Sequence, residues 1–100
     1  MFLDEAVEDI VLGKQFYNNQ EVGIGDYFFG SIISDSESLR LYAGIHGKQY
    51  GYFRLLSKRF PFAIYYDMSG LTARVIAVLD MRRNPNSIRR ALTTRKGQAK

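Results

Sequence analysis

The hydrophobic period of this chain changes once, and that change restricts the folds open to it. From about Asp4 to Gln20 apolar residues recur at helical spacing, with Ala6, Ile10, Gly13 and Tyr17 on one line and Val7, Val11 and Phe16 beside it. A second segment of the same period runs from about Asp26 to Ser38, with Phe28, Ile32 and Leu39 on one face. The period then falls to 2, which predicts strands at Tyr52 to Leu56, Phe60 to Tyr66 and Ala73 to Leu79. Helices first and strands after, without alternation, predict an α+β domain in which an N-terminal helical hairpin packs on a small antiparallel sheet.

The punctuation between these segments supports that order. Asp4 is expected to cap the first helix, and Asp9 lies near the positive end of its dipole. Gly23 and Gly25 stop that helix and turn the chain into the next. Ser57-Lys58-Arg59 turns the chain between the first two strands, and Asp67-Met68-Ser69-Gly70 between the last two, with Gly70 free to take a positive φ. Pro61 has no N–H to give a ladder, so it belongs at a strand start or an edge. Phe60 to Tyr66 and Val75 to Leu79 are almost continuously apolar, which calls for cover on both faces. Asn84-Pro85 opens a short basic helix through Leu92. Residues 1–93 therefore read as one domain, and residues 94–100 as a basic, frayed tail.

Composition sets the function classes. One hundred residues allow one core, and 46% apolar residues, with seven Phe and seven Tyr, fill it without metal or disulfide staples. The absence of cysteine excludes a disulfide scaffold, a thiolate metal site and a Cys nucleophile. No apolar run approaches the roughly 20 residues of a membrane span, and the start of the chain is acidic where a signal peptide is basic. A soluble, cytoplasmic protein with no membrane partner is expected. The net charge of +4 is unevenly placed: nothing after Asp80 is acidic, while Arg82, Arg83, Arg89, Arg90, Arg95, Lys96 and Lys100 follow it. That field suits nucleic acid, phosphate or an acidic protein partner. His46 has no second ligand at metal spacing, so neither a metal nor a cofactor is expected. Tyr50, Tyr52, Tyr65 and Tyr66 fit core packing better than base stacking.

Arg59-Phe60-Pro61-Phe62-Ala63-Ile64-Tyr65-Tyr66, followed by Ile76-Ala77-Val78-Leu79-Asp80-Met81-Arg82-Arg83-Asn84-Pro85, resembles the sheet signature of the RelE/ParE toxins, the basic poisons of bacterial type II toxin-antitoxin pairs. The ParE-like branch is the most similar. Phe16-Tyr17, Gly23-Ile24-Gly25-Asp26-Tyr27-Phe28 and Tyr52-Phe53-Arg54 also fall where that family has similar residues, so the resemblance spans Asp4 to Leu92. It implies a RelE/ParE-like fold with a short basic C-terminal helix and a strand before the first helix, for which only Met1-Phe2-Leu3 is available. It also implies a cognate antitoxin in a toxin-antitoxin hetero-oligomer.

The resemblance offers two targets. The RelE branch cuts mRNA on the ribosome, which needs a base, cations and an acid around the scissile phosphate. Aligned by strand, Ala63 stands where that branch often has a catalytic Arg, Asp80 where many members have His, and Ser87-Ile88 where a Tyr is common. No catalytic residue is therefore assigned. The expectation is a ParE-like inhibitor of DNA gyrase that is not an enzyme; a ribosome-dependent mRNA endonuclease and a relic that only binds its antitoxin are the alternatives. Under the resemblance Arg82, Arg83, Arg89, Arg90 and Arg54 are candidate target-binding residues, and Phe16, Tyr17, Tyr52 and Phe53 candidate antitoxin-binding residues. Arg82 and Arg83 have a rival assignment, ion pairs to Asp80 or Asp67 that hold the end of the sheet.

Overall fold

Helices and strands appear in the order that the change of period predicts. The computed structural model describes residues 1–98. Its elements are α1 (Asp4–Gln20), α2 (Ile24–Glu37), α3 (Leu39–Tyr42), β1 (Lys48–Gln49), β2 (Tyr52–Leu56), β3 (Phe62–Ser69), β4 (Thr72–Asp80) and α4 (Pro85–Gln98). The strands form one antiparallel sheet in the order β1-β2-β3-β4. The α1–α2 hairpin covers one face, where Ala6, Ile10, Tyr17, Phe28 and Ile32 meet Phe62, Ile64, Tyr66, Val75 and Val78. On the other face Ile88 and Leu92 of α4 cover Ala63, Tyr65, Ala77 and Leu79. Cover on both faces explains why the middle strands are apolar at nearly every position.

A bulge sets the phase of β4. Tyr65 pairs with Ala77 but Tyr66 pairs with Val75, so Ile76 is the extra residue. Because alternate side chains point to opposite faces, one inserted residue reverses the alternation. Val75 and Val78 both reach the hairpin side as a result, and Ile76, Ala77 and Leu79 the α4 side.

The two helices of the hairpin approach closely at glycine. A Cβ on Gly25 would lie 2.1 Å from the Lys14 carbonyl oxygen and 2.4 Å from Asn18 Cγ, while Gly25 N–H donates to Asn18 Oδ1 at 2.7 Å. On Gly30, also in α2, a Cβ would meet open space. Gly25→Ala is therefore expected to destabilise by about 1–3 kcal/mol through overpacking, and Gly30→Ala to stabilise by about 0.5–1 kcal/mol through helix propensity. Urea unfolding of the two variants checks the pair, and equal effects would refute the packing argument.

Several local expectations change. Asp4 is the first helical residue and not the cap: Leu3 precedes it in extended geometry, donating its N–H to the Val75 carbonyl at 3.0 Å. Met1-Phe2-Leu3 makes a single parallel bridge to β4 at Val75, a vestige of the implied strand. β3 begins at Phe62, because Pro61 cannot donate and the Phe60 ring is drawn into the hairpin against Tyr17, Tyr27 and Phe28. The last turn is Gly70-Leu71, with Gly70 at φ +61°, since Asp67 remains in the ladder opposite Arg74 and pairs with it at 2.8 Å. β1 and α3 were not foreseen.

The basic tail also differs from expectation. α4 continues to Gln98, beyond the expected end at Leu92, because Arg95 is anchored: its guanidinium holds the Asp9 carboxylate at 2.5 Å, with the two side chains 15% and 11% exposed. Residues 99 and 100 lie outside the described residues.

Candidate functional site

The five candidate target-binding arginines occupy three different settings. Arg82 leaves the end of β4 and closes back on Asp80, with Nε 3.0 Å from Oδ1, Nη2 2.7 Å from Oδ2 and its backbone N–H donating to Oδ1 at 2.8 Å. Arg82 Nη2 also donates to the Tyr17 hydroxyl at 3.4 Å. The Arg82 hydrogen bond holds the Asp80 carboxyl below the usual carboxylate range. The rival assignment thus describes Arg82 well: its charge is balanced by a carboxylate two residues away.

Arg83, Arg89 and Arg90 sit differently. Arg83 Nη2 donates to Ser87 Oγ at 2.6 Å, and Arg89 Nη2 to Asn86 Oδ1 at 3.0 Å. Asn84 starts α4 as its sequence suggested, its Oδ1 accepting the Asn86 N–H at 2.8 Å. With Ile88 and Leu92 turned to the sheet, the 3.6 period turns Asn86, Arg90, Thr93 and Thr94 to solvent and leaves Ser87 half-buried on the flank. Two shallow concavities of about 390 Å³ each flank Arg90. One is lined by Asn86, Arg89, Arg90, Thr93 and Thr94. The other is lined by Glu5, Arg83, Ser87, Arg90, Ala91, Thr94 and Arg95.

Arg54 is apart from these, on β2 opposite Tyr65. Burial pushes the Tyr65 hydroxyl above its ordinary range, and Arg54, which hydrogen-bonds it, works against that rise.

The four candidate antitoxin-binding aromatics are not gathered on one surface. Phe16 is 49% exposed on α1, but its neighbour Tyr17 is buried between hairpin and sheet. Tyr52 is buried on the α4 side, where burial raises its hydroxyl above the ordinary range. Phe53, half-buried, faces the hairpin side and stacks on Tyr66 with ring centroids 5.1 Å apart. Sequence reasoning missed other exposed apolar side chains, namely Val7, Val11 and Leu12 on α1 and Phe29 on α2. The second apolar line on α1, beside the buried one, was their signal.

Ala63 is fully buried, Ser87 is occupied by Arg83, and Ile88 is buried between α4 and the sheet. His46 is engaged by the core: its Nδ1 lies 2.5 Å from the hydroxyl of buried Tyr66, which also accepts the Gly44 N–H at 2.9 Å. Among the described residues no group of three His, Asp or Glu could hold a metal ion, and no helix is long and apolar enough to cross a membrane.

The α+β architecture is shared with a solved structure. A chain of a solved structure described as the chromosomal ParDE TA system from P. aeruginosa superposes with a TM-score of 0.69 at 15% identity, covering 77% of this chain and 88% of that one. At that identity the likeness establishes a shared fold, the ParE-like arrangement of a helical hairpin, an antiparallel sheet and a terminal helix. No protein-family model and no curated relative matches the sequence.

Proposed function

We propose that this chain is the toxin of a type II toxin-antitoxin pair, and that it acts as a ParE-like poison of DNA gyrase neutralised by a cognate antitoxin. The observation that carries the reading is the fold shared with a chain of a ParDE system over 88% of that chain's length. The exposed apolar side chains of the hairpin, Val7 and Val11 on α1 and Phe29 on α2, offer an amphipathic antitoxin segment something to bury. Gyrase inhibition is favoured over mRNA cleavage by what fills the expected catalytic positions: buried Ala63, Asp80 closed on Arg82, and Ser87 closed on Arg83. General acid and base groups each contribute about 10²- to 10⁴-fold in rate, so a site without them cuts poorly even where it binds. A poison that traps a conformation needs only affinity and shape.

The test uses purified toxin with gyrase and supercoiled plasmid, and in parallel with programmed ribosomes. Gyrase-dependent linear, cleaved plasmid is expected, with no new cut at the A-site codon. Codon-specific cuts with gyrase unaffected would overturn the reading.

A further inference from the structure

We infer that the outward face of α4 is a docking site for a phosphodiester backbone, the nucleic-acid part of the target and not its protein surface. This rests on the reading above only in taking α4 as target-facing. It deepens that reading by naming what α4 touches.

The first support is how the arginines are held. Arg74, Arg82 and Arg95 are paired with Asp67, Asp80 and Asp9. Arg83 and Arg89 are oriented instead by neutral acceptors, Ser87 Oγ and Asn86 Oδ1. A neutral acceptor fixes a guanidinium without cancelling its charge, so it stays directed and available to an anion.

The second support is what surrounds them. Beside the arginines the concavities either side of Arg90 are lined by the short donors Asn86, Ser87, Thr93 and Thr94, with Ala91 their one apolar residue. Arginine with hydroxyl and amide donors is the usual equipment for phosphate contacts. A protein-docking face would need an apolar or aromatic anchor at its centre, and this one has none. Glu5 is the single acid lining either concavity.

Three phosphate contacts set a measurable salt dependence. For duplex DNA each contact contributes about −0.9 to the slope of log affinity against log salt, so Arg83, Arg89 and Arg90 together predict about −2.7. Anisotropy titrations of the full-length protein with a labelled 20-base-pair DNA duplex and a single-stranded RNA of equal length should show salt-sensitive binding to at least one, and the stronger identifies the backbone source. Arg83→Gln, Arg89→Gln and Arg90→Gln combined should flatten the duplex slope towards zero with an unchanged melting temperature, while Arg82→Gln keeps the parental slope. Failure of both nucleic acids to bind at low salt would overturn the inference, as would a parental slope in the triple variant. Equally tight, equally salt-sensitive binding to polyglutamate would overturn it in favour of an acidic protein surface. Gyrase is absent from these titrations, so the toxin reading is judged separately by plasmid cleavage.

Discussion

Arg95→Ala is expected to lower stability by about 1.5–3 kcal/mol, the usual cost of removing a hydrogen bond to a charged group in a partly buried ion pair. Against the 5–15 kcal/mol that holds a domain of this kind together, that is a large share. The pair also terminates the sheet. β4 is an edge strand, bridged by Met1-Phe2-Leu3 only near Val75. Beyond that bridge the Val78 N–H donates to Asp9 Oδ2 at 3.0 Å, and the Ile76 carbonyl accepts from Arg95 Nη1 at 3.3 Å. An unpaired edge invites pairing with another chain, and here an ion pair occupies it.

Replacing a buried ion pair by two apolar residues is often neutral. In this chain the combined Asp9→Leu and Arg95→Met variant should remain at least about 1 kcal/mol less stable than the parent, because two backbone groups lose their partners as well. Guanidinium unfolding gives the energies, and sedimentation velocity should show concentration-dependent association of Arg95→Ala. If the single variant lies within 1 kcal/mol of the parent and stays monomeric, the pair is ornamental and the edge is protected by something else.

Local periodicity recovered what local forces decide. α1 and β2 begin and end where the alternation of their residues placed them, because a two-faced element writes its period into every turn or pair. β1, with two residues, is too short to carry a period, and its pairing follows from Tyr50-Gly51, a turn with both residues at positive φ and without the usual Asn. Contacts between distant residues were invisible for a different reason. Asp9 and Arg95 are 86 residues apart, and nothing in either neighbourhood shows that they meet. Asp35, buried at the end of α2, was likewise passed over, although it accepts from Ser57 Oγ and Lys58 N and so ties the hairpin to the β2–β3 turn.

The candidate site was legible in outline only. The basic end stood out by charge, yet charge alone could not separate Arg82 from Arg83. The separation comes from geometry at the sheet end, where Asp80 faces back over Arg82 and Ser87 reaches Arg83 from the first turn of α4. The antitoxin candidates were drawn from the resemblance, and burial divides them: an aromatic at a shared position is as readily core as contact.

Phe28→Ala carries the other large expected effect, about 3–5 kcal/mol of destabilisation. Phe28 is fully buried at the centre of an aromatic cluster, 4.7 Å from Phe62, 5.1 Å from Phe60 and 5.2 Å from Tyr17 between ring centroids. Truncation would lose its transfer energy, open a cavity and dissolve three ring contacts, each worth about 0.5–1.5 kcal/mol beyond area. It would also loosen the seating of Tyr17, whose hydroxyl meets Arg82 at the sheet end. The same ring explains Gly13 on α1, since a Cβ there would lie 2.6 Å from Phe28 Cε2. Gly13→Ala should therefore be costly alone but tolerated once the ring is gone. The two changes together are expected to fall at least about 1 kcal/mol short of the sum of their separate costs, as neighbours sharing one space do. Denaturant midpoints of the two single variants and the double variant close the cycle. Strict additivity would mean that α1 and α2 yield around the ring without strain, and that the small residue at Gly13 answers to some other contact.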